Sequence, residues 1–114
     1  MSIVATSPDP RPPGGEFQTL RECFQEVIEE LDSTFTSHQF ILELARRFQS
    51  EYARALNLCV DDKNDPFRKL HRSIGGTLNE FPHLIERLPD VESEDIFRRR
   101  SICAAWRKRD RDQD

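Results

Sequence analysis

Three cysteines (Cys23, Cys59, Cys103) and three histidines (His38, His71, His83) are the side chains of this 114-residue chain best suited to metal ligation or nucleophilic chemistry. Zinc sites draw their ligands in closely spaced pairs, because one local segment then presents two donors at once. None of these six residues is spaced that way. The odd number and wide separation of the cysteines fit reduced thiols packed among apolar neighbours. Asp61-Asp62-Lys63-Asn64-Asp65 has the acidity of a calcium loop. Position six of such a loop would be Pro66 where glycine is needed, however, and position twelve Arg72 where a bidentate glutamate is needed. Gly75-Gly76 lacks the preceding strand and the following Lys-Ser/Thr of a phosphate loop. His71 stands beside the apolar series Phe67, Leu70, Ile74, where a partly buried, hydrogen-bonded imidazole is the commoner role. These readings lead to the expectation of a non-enzymatic chain without metal or cofactor.

The remaining chemistry is charge. Seventeen Lys and Arg face twenty-one Asp and Glu, a formal net charge of -4, but the two signs are unevenly placed. The first 64 residues are net negative and the last 50 slightly positive. Arg98, Arg99 and Arg100, with Arg107, Lys108, Arg109 and Arg111, form a basic cluster around Trp106. Such a cluster can dock on an acidic protein surface, or it can neutralise phosphates while an aromatic ring stacks on bases. The first option makes the chain an accessory or adaptor module for a larger protein partner, with residues 98–100 and 107–109 as its contact. The second makes it a small helix-turn-helix-like nucleic-acid binder. The docking module is the leading expectation, because overall acidity weakens attraction to a polyanion.

The elements that position these groups read as helices. Phe17, Leu20, Phe24, Val27 and Leu31 step by three and four from Glu16 onward, with Glu22, Glu26, Glu29, Glu30 and Asp32 on the opposite face. Thr36 and Gln39 have capping-box spacing, Phe35 is placed to staple onto Phe40, and an apolar stripe then runs to Leu56. Asp65-Pro66 is an N-cap followed by proline at the first helical position. The helix it opens holds Phe67, Leu70, Ile74 and Leu78 on one face, with Gly75-Gly76 inside it. Two interior glycines cost ~2 kcal/mol relative to alanine. They therefore predict either a close helix approach or a helix-turn-helix turn, the latter supported by a second capping-box spacing at Thr77–Glu80. Pro82 and Pro89 bracket a short apolar segment of one or two turns. Over 93–109, Ser93 as cap and Ile96, Cys103 and Trp106 on one face predict a last helix with Trp106 as its core anchor; a β wing is the alternative, but the segment lacks alternation.

The expected fold is all-α: a compact bundle of four to five short helices spanning 16–109, with a disordered Pro/Gly-rich tail at 1–15 and a charged tail at 110–114. No basic start leads into an apolar stretch, so no secretory signal is read and a cytoplasmic setting is expected. The longest apolar run, Ile102-Cys103-Ala104-Ala105-Trp106, is far short of the ~20 residues of a membrane span.

Overall fold

The computed structural model describes residues 15–61 and 65–109. The tails expected at 1–15 and 110–114 lie outside them, apart from Gly15, and so does the middle of the acidic loop at 62–64.

The order of elements is α1 (Gly15–Arg21), α2 (Phe24–Glu30), β1 (Thr34–Thr36), α3 (Ser37–Arg47), α4 (Gln49–Asn57), α5 (Pro66–Thr77), a single 3₁₀ turn (Leu78–Glu80), β2 (Ile85–Glu94) and β3 (Arg100–Lys108). The three strands form one antiparallel sheet in the order β1-β3-β2. The all-α expectation is therefore corrected: the protein is a mixed helix–sheet fold. The segment expected to be a last helix holds the end of one arm, the turn and the second arm of a β-hairpin.

The helix starts follow local chemistry. Thr36 Oγ1 accepts from the Gln39 amide at 3.1 Å, and the Thr36 amide donates to Gln39 Oε1 at 2.8 Å, closing the capping box on α3. The staple forms as well, with the Phe35 and Phe40 rings 6.2 Å apart. Asp65 Oδ1 accepts from the Arg68 amide at 3.1 Å, and Pro66 follows at the start of α5. Each of the first two apolar stripes is shared by two helices. The break at Arg21–Phe24 lets α1 lie against α4 while α2 lies against α3, and the break at Phe48 bends the second stripe. Phe17, Leu20, Phe24 and Val27 all remain buried, so the periodicity survives although the axis turns.

Gly75 and Gly76 are neither a turn nor a close-packing site. Helix α5 runs straight through them, and a Cβ added at either would meet no atom within 4 Å. The helix-turn-helix split expected at this point is thus absent, and Leu78 begins a 3₁₀ turn rather than a second helix.

The strands escaped periodicity for physical reasons. Strand β3 is central, pairing Phe35↔Trp106 with β1 and Arg87↔Trp106 with β2. Near that end both of its faces are covered, so Ala105 and Trp106 are buried in succession and no alternation shows. Ser93 resembled a helix cap because a short side-chain oxygen serves caps and turns alike. Here Asp95 Oδ1 accepts from the amides of Phe97 and Arg99 at 2.8 and 2.9 Å, which shapes the hairpin turn. Pro89 lies in edge strand β2 within a bulge, where the register shifts between Leu88 and Val91.

The core lies between the helices and the sheet. Phe24 packs edge-on to Phe40 at 4.8 Å and parallel to Phe81 at 5.6 Å. Trp106 is buried, as expected of a core anchor, and its Nε1 donates to Ser37 Oγ at 2.9 Å.

Candidate nucleic-acid interface

Helix α5 and the β2–β3 hairpin form two walls of a groove of about 770 Å³, which the start of α3 closes from behind. The helix buries Leu70, Ser73, Ile74 and Thr77, and this leaves Arg68, Lys69 and Arg72 facing outward. No Asp or Glu occurs within the helix. Among the described residues Arg68 and Arg72 have no carboxylate partner.

The opposite wall carries Arg87, Arg99 and Arg100. Each is near a carboxylate: Arg87 lies 3.0 Å from Asp90, Arg99 3.7 Å from Asp95 and Arg100 3.4 Å from Glu92. All three guanidiniums are more than half exposed, so these pairs are weak and open to competition. Arg87 also lies over the Trp106 ring, 5.9 Å from its centroid. Five arginines thus meet two aspartates, Asp65 and Asp95, in the groove lining, and both aspartates are occupied with backbone amides. Burial alone would raise the Asp95 pKa. The amides of Arg99 and Phe97 and the charge of Arg99 outweigh that and hold it below the ordinary value, so Asp95 stays ionised as the organiser of the turn.

The hairpin tip folds back onto the start of α5. Phe97 packs edge-on to Phe67 at 5.0 Å and roughly parallel to His71 at 6.4 Å. His71 in turn shares a 2.6 Å hydrogen bond with Tyr52 of α4. Burial drives the His71 pKa down to about 4, with Asp95 and Asp65 opposing, and drives that of Tyr52 up to about 12. The imidazole is therefore neutral near pH 7. Arg98, at the tip, has φ 67°, a left-handed conformation in which glycine is the unstrained choice.

The six basic residues marked in the sequence divide into two groups. Arg98, Arg99 and Arg100 sit at the hairpin turn, and Arg99 and Arg100 line the groove. Arg107, Lys108 and Arg109 lie at or just past the far end of β3, outside the groove lining. Arg107 pairs with Glu86. Lys108 Nζ donates to the carbonyls of Leu31 and Glu29, at 2.8 and 3.2 Å, at the C-terminal end of α2. Arg109 lies 3.7 Å from Glu86 and donates from Nε to the Pro82 carbonyl. Arg68, Arg72, Arg87, Phe67 and Phe97 were not marked. Twelve helical residues with three bases and no acid were the visible signal for α5. The proximity of Phe97 to Phe67 had none, since thirty residues separate them.

The three thiols are free. Burial raises the Cys23 pKa, and Glu51, Glu26 and Glu22 raise it further, which disfavours the reactive thiolate. Among the described residues no group of three or more His, Cys, Asp or Glu is placed to hold a metal, and no helix is long and apolar enough to cross a membrane. No protein-family model matches the chain, and neither a curated protein nor a solved structure does.

Proposed function

We propose that this protein is a non-enzymatic nucleic-acid-binding module whose interface is the groove face of α5 and the β2–β3 hairpin. The observation that carries this reading is the convergence of five arginines from two elements on one groove, against two aspartates already committed to amides. Phosphate contacts release counterions and give affinity without requiring overall basicity. The acidic side chains of α2, Glu26, Glu29 and Glu30, make the chain electrically two-sided and orient its approach to a polyanion.

Docking on an acidic protein is the second reading. It is favoured by the apolar outer part of the hairpin, where Val91 and Ile102 are exposed, Ile102 at 71%. Titrating labelled mixed-sequence DNA and RNA at several salt concentrations separates the two. Nucleic-acid binding predicts a dissociation constant of about 1 µM or tighter at physiological salt, the tight end of non-specific binding. The double variant Arg68→Glu/Arg72→Glu should bind at least tenfold more weakly, with a shallower dependence of log affinity on log salt. Absence of binding, or an unchanged affinity in the variant, would favour the protein-docking reading.

A further inference from the structure

Resting on that reading, we propose that the groove takes a single strand of nucleic acid in preference to a duplex. A duplex major groove is about 12 Å wide and admits one helix, itself about 10–12 Å across with its side chains, or one two-stranded ribbon, but not the two side by side. Helix α5 does not stand alone. The hairpin is docked on its first turn through Phe97, against Phe67 at 5.0 Å and His71 at 6.4 Å, so helix and hairpin would have to enter together. A single strand needs only the space between the two walls.

The lining suits such a strand. Phe67 and Phe97 remain 36% and 45% exposed although they touch each other, which leaves ring surface on which bases can stack. The Arg99 guanidinium lies over Phe97, 5.6 Å from its centroid, and extends that platform. Arg68 and Arg72 on one wall and Arg100 on the other can flank the phosphates. Farther along the α5 wall, Gly75 and Gly76 add no side chains to the groove, and no atom outside the helix's own backbone lies within 4 Å of either missing Cβ. Backbone charge and stacking together form a sequence-tolerant site, and DNA and RNA strands share that chemistry.

Fluorescence anisotropy with labelled oligo-dT, oligo-U and a mixed-sequence duplex of equal length tests this on the full chain. At least one single strand should bind tenfold or more tightly than the duplex; a preference between dT and U would show whether the 2′-hydroxyl is read. Phe67→Leu keeps an apolar contact for Phe97 but removes a stacking ring. It should weaken single-strand binding about tenfold while leaving duplex binding and the melting temperature nearly unchanged. Equal or tighter duplex binding would overturn the single-strand assignment while leaving nucleic-acid binding intact, as would undiminished single-strand affinity in a folded Phe67→Leu. No binding to any of the three probes would overturn both.

Discussion

His71 concentrates the physical chemistry of the hairpin–helix contact in one side chain. Its ring packs against both Phe67 and Phe97, and its Nε2 is hydrogen-bonded with Tyr52. In the unfolded chain it takes up a proton near its ordinary pKa of 6.5; in the folded chain burial postpones this to about 4. Between those values the unfolded state binds more protons, so stability is complete above about pH 6.5 and is lost as pH falls toward 4. The loss from this group is at most ~3 kcal/mol, and less where solvent reaches the ring. His71→Gln, which still accepts a hydrogen bond from Tyr52, should lose less stability than the parent between pH 7 and pH 5. Urea midpoints at the two pH values measure the difference; identical losses would contradict the assignment. This partly buried imidazole was legible in the sequence from the apolar spacing around it, and so was Trp106 as a core anchor. The roles of Arg107 and Arg109 were not, because Glu86 and Pro82 reach them only after the hairpin forms.

Helices and strands differ in how far local chemistry announces them. The capping box at Thr36–Gln39 and the Asp65-Pro66 start lie within four residues of sequence, and both stand in the structure. Strand β3 depends on partners up to 73 residues away, Phe35 among them, and its buried end shows as an apolar run rather than an alternation. The helical spacing of Ile96, Cys103 and Trp106 is therefore accidental, since the first lies in the turn and the others on a strand. Gly75 and Gly76 lie between these cases, because the sequence exposed their helix penalty but not its setting. With open space at both positions, Gly75→Ala and Gly76→Ala should each stabilise the fold by up to about 1 kcal/mol, the difference in helix propensity. Thermal or denaturant unfolding of the single variants checks this. Destabilisation by either would mean that the backbone there is packed more closely than the structure shows. If the glycines serve the groove, the same variants should bind nucleic acid more weakly while folding more stably, as expected where local stability is given up at a functional surface.

Across the whole molecule, two helices carry a single sign of charge, α2 being acidic and α5 basic. The acidic residues of α2 were visible as a helix face, and a basic excess in the second half was visible in the composition. Which bases share a surface was not visible: the sequence put Arg107, Lys108 and Arg109 with the arginines at 98–100, whereas the fold turns the first triplet toward Glu86, Pro82 and the carbonyls at the end of α2 and brings Arg68 and Arg72 across from Arg99 and Arg100. The central claim is that nucleic acid meets the protein on this one face. Backbone amide shifts followed by NMR during titration with an oligonucleotide test it most directly. The perturbed amides should cluster in 65–79 and 95–104 and leave α1 and α2 almost untouched. Perturbation centred on α2 or on 107–109, or no perturbation at oligonucleotide concentrations well above 1 µM, would contradict the claim.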